Sequence, residues 1–293
     1  MTLRDAVSHA ARELSHDTHL APTALRDAEL LLLDVLARPR TILYTEPERM
    51  LSAEEEAAYA RRLGRRLAHE PVQYILGTQE FFGLELRVTR ATLIPRPETE
   101  LLVEAVLDRL PRNGALRVAD VGTGSGAIAI ALARHLPEAH LVAIDSSEQA
   151  LEVARENARV HSVGDRICFL HADLLTGQAA PFDAIVANLP YIPETDRESL
   201  HPQVREYEPN GALFSGPDGL ADYRRLAPEA ARLLRPQGWL ALEIGAGQSE
   251  GIAKVLGGWE DLELLADLQG IPRVCLARAP GQFHRSEVPR KQD

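Results

Sequence analysis

Two short stretches of the chain hold residue types whose spacing could do chemistry. In the first, Asp120-Val121-Gly122-Thr123-Gly124-Ser125-Gly126 ends an apolar run and leads into a helical pattern from Ala127 to His135. Glycines let the backbone turn sharply and approach a ligand closely, and the amides at a helix N-terminus are free to face it. Gly122, Gly124 and Ala127, followed by Asp145 at the end of the next apolar run, satisfy the dinucleotide fingerprint, in which the acidic residue binds ribose hydroxyls. Asp120 pulls the reading elsewhere. A carboxylate repels a pyrophosphate but attracts an ammonium and a sulfonium, so the loop fits S-adenosyl-L-methionine better.

The second stretch, Asn188-Leu189-Pro190-Tyr191, closes another apolar run, Phe182 to Ala187. A carboxamide or aromatic amino nitrogen is a poor nucleophile because its lone pair is delocalised. Two acceptors that take both of its hydrogens can draw it toward tetrahedral geometry and aim the lone pair at a methyl group. The Asn188 side-chain oxygen and the Leu189 carbonyl can be that pair, Pro190 stiffens the turn, and Tyr191 offers a face for a planar group. Catalysis of this kind is positioning and preorganised polarity, with no general base needed at first.

Both stretches need a scaffold that brings them together. Strand-like runs at Arg117 to Val121, Leu141 to Asp145, Ile167 to Leu170, Phe182 to Ala187 and Trp239 to Ile244 alternate with helical runs, clearest at Ala127 to His135 and Glu148 to Asn157. Leu262 to Asp267 and Val274 to Ala277 would add two last strands. Alternation predicts an α/β protein with a mainly parallel, doubly wound sheet, and ligands beyond the carboxyl ends of its strands. Upstream, Leu3, Ala6, Val7, Ala10 and Leu14 recur at helical spacing, Thr23 to Leu36 is a second periodic run, and Ser52 with Glu55 forms a capping box before a third. The expected organisation is a helical domain over 1–76, a β-hairpin linker over 77–92 built around Glu80 to Val88, the sheet domain over 93–281, and a loose polar tail over 282–293.

Arg61, Arg62, Arg65 and Arg66 on the third helix read as a solvated face, or as a surface for an acidic partner. Lysine and arginine total 32 against 43 aspartates and glutamates, a net charge of −11, so no stable nucleic-acid binding is expected. The longest apolar runs, Leu30 to Leu33 and Ala127 to Ala133, fall far short of the ~18–20 residues a membrane helix needs. No secretory signal is evident, and Cys168 and Cys275 sit in apolar stretches as expected buried free thiols, so a cytoplasmic location is expected. His135, His161 and His171 lack metal-ligand spacing and no metal is expected. Phe81 and Phe82 read equally as hairpin core or substrate contacts, and Glu208-Pro209 as a loop closing over the site.

Beyond these features, the chain resembles the HemK/PrmC family of N5-glutamine methyltransferases. The likeness includes Arg26-Asp27-Ala28-Glu29-Leu30-Leu31, Glu70-Pro71-Val72-Gln73-Tyr74-Ile75-Leu76-Gly77, and the stiff Leu93-Ile94-Pro95-Arg96-Pro97-Glu98-Thr99-Glu100. It continues through both chemical stretches, Tyr207-Glu208-Pro209 with Ala212-Leu213, Gly216 to Leu220, and Asp267-Leu268 with Gly270 and Arg273. The resemblance implies a Rossmann-like S-adenosylmethionine-dependent methyltransferase fold with a small N-terminal helical domain that recognises substrate. It implies methyl transfer to the glutamine of the Gly-Gly-Gln motif in class I peptide chain release factors. By position, Asp120 and Gly122 to Gly126 match the cofactor loop, Asp145 the ribose ligand, Asp173 and Leu174 the adenine contacts, and Asn188 to Tyr191 the glutamine clamp, Asn188 also touching the cofactor. Arg96, Pro97, Glu98 and Thr99 match a cover over cofactor and substrate. Two positions depart from the family pattern: Leu189 stands where a proline is usual, and Leu174 where some members carry an aromatic. The same clamp would serve a ribosomal-protein glutamine or an adenine N6 amino group, and a nucleotide-sensing adaptor would bind the cofactor without transfer.

Overall fold

The computed structural model describes residues 1–179 and 181–280; the expected tail, 282–293, lies outside the described residues. Helices α1 (Leu3–Ser15), α2 (Ala24–Leu36), α3 (Ile42–Thr45), α4 (Ala53–Leu67) and α5 (Val72–Leu76) come first. The hairpin β1 (Thr78–Phe81) and β2 (Leu84–Arg87) follows, then α6 (Pro97–Arg109) and β3 (Arg117–Val121). The rest runs α7 (Ala127–His135), β4 (His140–Asp145), α8 (Glu148–Val160), β5 (Ile167–His171), β6 (Phe182–Ala187), α9 (Pro202–Tyr207), α10 (Ala221–Leu233), β7 (Leu234–Glu243), α11 (Ser249–Val255), β8 (Glu260–Ala266) and β9 (Pro272–Arg278).

The seven-stranded sheet has the order β5-β4-β3-β6-β7-β9-β8. Its first five strands in sequence are parallel, while β9 runs antiparallel to both β7 and β8. Strands buried on both faces must be apolar throughout, and neighbours in sequence divide between two cores. Val118, Ala143 and Val186 face one core beneath α6 and α7. Ala119, Val142 and Ile185 face the other, covered by α10 and α11. Because β4 lies on one side of β3 and β6 on the other, the order reverses there, and a crevice opens beyond the carboxyl ends of those strands.

The first five helices enclose their own core around Leu14, Leu31 and Leu32. The Ser52–Glu55 capping box opens α4 as the sequence predicts. Three arginines of that helix turn onto carboxylates of the same chain: Arg62 onto Asp34, Arg65 onto Glu70 at 2.7 Å, and Arg66, buried, onto Asp27 at 2.7 Å. Three of the four are thus tied to carboxylates within the chain, although Arg61 and Arg65 both remain exposed. The helical part meets the sheet domain through Tyr74, Val88 and Ile94, which pack together, and through the Tyr207 hydroxyl, which donates to the Ala68 carbonyl at 2.5 Å.

Phe81 is buried in the sheet core, while Phe82 turns the hairpin with Gly83 and meets the His135 ring edge-on, so neither reaches the crevice. Cys275 is buried as expected. Cys168 is exposed instead, because β5 is an edge strand of the sheet. Among the described residues no helix is long and apolar enough to cross a membrane.

Candidate active site

At the carboxyl ends of the parallel strands lies a cavity of about 340 Å³. The loop after β3 lines it with Gly122, Thr123, Gly124 and Ser125, the end of β4 with Asp145, the turn after β5 with Asp173 and Leu174, and the turn after β6 with Asn188, Leu189 and Pro190. Arg96 and Thr99 line its front. Pro97 and Glu98 do not: they form the first turn of α6, and their expected place in the cover passes to Arg96. Asp120, Gly126 and Tyr191 stand behind the lining.

The glycine loop is held from three sides. Asp145 accepts hydrogen bonds from the Gly124 and Ser147 amides, both at 2.9 Å. Asp120, wholly buried, accepts from the Thr123 hydroxyl at 2.6 Å and the Ala129 amide at 3.0 Å, and its Oδ1 has no partner among the described residues. Asn157, on α8, donates to the Ser125 carbonyl at 2.8 Å and exchanges two hydrogen bonds with the backbone of Arg87, which ties loop to hairpin. Gly122 has a positive φ, and a Cβ there would lie 3.0 Å from the Leu189 side chain. The two chemical stretches are therefore in contact, and Leu189 substitutes packing over Gly122 for the stiffness of the usual proline.

Burial pushes the Asp120 carboxyl up to about 6, with the Asp145 charge adding to the rise and the Thr123 and Ala129 hydrogen bonds opposing it. Burial likewise raises Asp145, against the pull of the Gly124, Ser147 and Ser146 amides. Two desolvated carboxyls under a ring of backbone amides favour a ligand carrying positive charge and hydroxyls. S-adenosyl-L-methionine fits that donor set: the glycine loop, kept in shape by Asp120 behind it, would hold its amino-acid end, Asp145 its ribose, and Leu174 an apolar wall for its base. Asp145→Asn, which removes the charge, is expected to weaken cofactor binding about tenfold or more, the worth of hydrogen bonds to a charged group, as read by calorimetry.

Arg225 and Glu243 were not legible as site residues, and Glu208 was legible only as part of a loop closing over the site. Arg225 on α10 lines the cavity and bridges Asp173 to Asp222, the second at 3.1 Å. Glu208, fully buried at its side chain, pairs with Arg96 and accepts from the Ile94 amide at 3.3 Å, so the loop expected to close over the site is latched to the Pro95–Arg96 segment. Glu243, the last residue of β7, is 2% exposed. Each lies far in sequence from the motif it serves, and only the sheet order brings it near.

The clamp turn is fixed by its neighbours. Tyr223, buried, donates to the Glu243 main-chain carbonyl and lies 3.4 Å from the Leu189 carbonyl. Gln248 donates to the Tyr191 carbonyl at 2.9 Å. Gly219, at φ +73°, lies against the same carbonyl, 2.0 Å from where a Cβ would stand. Gly219→Ala must push the turn aside and is expected to cost about 1–3 kcal/mol of stability by thermal melting, with loss of transfer activity.

Residues 5–77 match the family model described as PrmC N-terminal domain, and residues 97–203 that of the methyltransferase small domain. The release factor glutamine methyltransferase of Koribacter versatilis is 41% identical over 96% of this chain and 99% of its own length. The chain belongs to the release factor glutamine methyltransferase family. The Moorella thermoacetica enzyme of that name is 44% identical over 94% of this chain and 98% of its own. Among solved structures, a Pyrococcus furiosus methyltransferase shares the fold, with a TM-score of 0.50 and 16% identity, covering 75% of this chain and 99% of that one. The cavity described above therefore lies in a methyltransferase, whose cofactor is S-adenosyl-L-methionine.

Proposed function

We propose that the chain transfers a methyl group from S-adenosyl-L-methionine to the side-chain amide nitrogen (N5) of the glutamine in the Gly-Gly-Gln motif of class I peptide chain release factors. The observation that carries this is the state of Asn188: its Nδ2 donates to the Thr99 hydroxyl at 3.1 Å, which leaves Oδ1 for the cavity that the residue lines. An acceptor oxygen aimed at the cavity beside the Leu189 carbonyl is what a primary amide needs on its two hydrogens.

When bound, the cofactor supplies a methyl group made electrophilic by its sulfonium. The chain does the rest by holding. Asn188 and Leu189 take the two N–H hydrogens, Pro190 keeps the turn rigid, and the Arg96–Glu208 latch holds the front of the cavity, excluding water. Loss of the amide proton follows transfer, when the nitrogen has become acidic, and needs no dedicated base. The helical part, 1–76, serves substrate recognition, 77–92 joins it to the methyltransferase domain of 93–281, and the reaction belongs to the cytoplasm, in keeping with two free thiols.

The proposal predicts calorimetric binding of S-adenosyl-L-methionine and none of NAD. Given release factor, ribosomal protein and nucleic acid side by side with the methyl-labelled cofactor, the chain should label the release factor. Label on ribosomal protein or adenine alone would move the substrate while leaving the cofactor site in place.

A further inference from the structure

Glu243 has no part in the transfer as described, yet it is a carboxyl buried at the end of β7 directly behind the clamp. The pairing of Leu242 with Ala187 puts Glu243 level with Asn188. Its Oε1 accepts from the Tyr191 hydroxyl at 3.4 Å, its Oε2 has no geometrically satisfied partner among the described residues, and the Thr99 hydroxyl lies close enough to favour its ionised form. Thr99 in turn accepts from Asn188 Nδ2 at 3.1 Å. Thr99 and Glu243 are 4% and 2% exposed, so water does not compete for either group, and the orphaned Oε2 is left to the Thr99 hydroxyl beside it.

We propose that Glu243, acting through Thr99, fixes which way the Asn188 amide points, and so makes Asn188 an acceptor toward substrate. The two ends of a carboxamide are nearly the same size, so shape alone does not choose between them. Hydrogen-bond direction does. An ionised carboxylate only accepts, and therefore takes the single hydrogen of the Thr99 hydroxyl. Thr99 oxygen is then left as an acceptor, Asn188 must present its NH₂ to it, and Oδ1 is turned to the cavity. A protonated Glu243 can donate to Thr99 instead, which frees the Thr99 hydrogen for Asn188 Oδ1 and allows the reversed amide, with a donor facing the substrate's own donors. Glu243 and Thr99 are positioning residues, and touch no reacting atom.

The groups facing Glu243 set when this control operates. Burial pushes its carboxyl up to about 7; Glu98 of α6 adds to the rise, while Thr99, the Tyr191 hydroxyl and Arg273 of β9 oppose it. Tyr191 and Tyr223, both raised by burial, stay protonated and remain donors. Ionisation of Glu243 thus falls in the neutral range, with the acceptor orientation of Asn188 secured on the alkaline side.

The inference rests on Asn188 being the acceptor for a substrate amide, and its test separates the two. In the ¹⁵N-labelled full chain without cofactor or substrate, the Asn188 side-chain NH₂ resonances should titrate near neutrality, and Thr99→Val should abolish that titration. With release factor as substrate, Thr99→Val should lower kcat about tenfold, the worth of one ordinary hydrogen bond, with KM unchanged and the acidic limb of the kcat profile flattened. Thr99→Ser, which keeps the hydroxyl, should restore both. Asn188 resonances that ignore pH in the parent chain, or an acidic limb that persists in Thr99→Val, would overturn the orientation control. Titration of Asn188 without methylation of any Gly-Gly-Gln glutamine would instead uphold it and overturn the substrate.

Discussion

Asn188→Ala is expected to lower kcat by about 10²- to 10³-fold, the range seen when one preorganised group that steadies a transition state is removed. Cofactor affinity should change far less, because the glycine loop and Asp145 hold their geometry through Asp120, Asn157 and their own amides rather than through Asn188. Single-turnover rates beside calorimetric titration separate the two quantities. Losses of the same size in both would mean that Asn188 is a cofactor ligand first, and the clamp would have to be sought elsewhere. The alanine leaves little packing behind to collapse, since Leu189 and not Asn188 fills the space over Gly122.

Glu243→Gln should shift stability with pH in a direction that can be worked out beforehand. A carboxyl whose folded-state value is raised to about 7 from an ordinary 4.5 binds more protons folded than unfolded between those values. The native state therefore loses stability as pH rises through that window, and the loss approaches about 3 kcal/mol once Glu243 is fully ionised. Glutamine does not ionise. The stability difference between variant and parent should move in the variant's favour by up to about 3 kcal/mol between about pH 5 and pH 8, measured by urea unfolding at each pH. A constant difference across that range would show that the Glu243 carboxyl is not raised by the fold and is already ionised below pH 5. A buried group that costs stability at the pH where it aids catalysis is what a functional rather than structural carboxyl looks like.

Much of the fold is legible in local pattern. Arg117–Val121 and Phe182–Ala187 have the bounds that their apolar, β-branched runs predict, and the capping box at Ser52 places α4. Where the reading falls short, the cause is non-local. Strand β7 begins at Leu234 and not Trp239, because Pro236 and Gly238 look like a turn until the bulge opposite Phe182 and Ala184 accommodates them. Helices α3 and α5 have four and five residues, too few to show a period. Cys168 reads as buried because its neighbours are apolar, but edge position is a property of the assembled sheet.

The site divides in the same way. Gly122 to Gly126, Asp145, Asp173, Leu174 and Asn188 to Pro190 belong to contiguous motifs at strand ends, and sheet topology gathers them. Arg225, Glu243 and Asn157 each appear in sequence as one more polar residue among many, and Glu208 only as part of a loop closing over the site. Their partners, at Asp173, Thr99, Ser125 and Arg96, become neighbours only once the sheet is built.

The most direct test of the central claim is fragment mass spectrometry of a class I release factor after incubation with the chain and S-adenosyl-L-methionine. One added methyl group, localised to the side chain of the Gly-Gly-Gln glutamine and absent with Asn188→Ala, is the predicted result. A release factor left unmodified by a chain that binds the cofactor, or a methyl placed on any other residue, would contradict it.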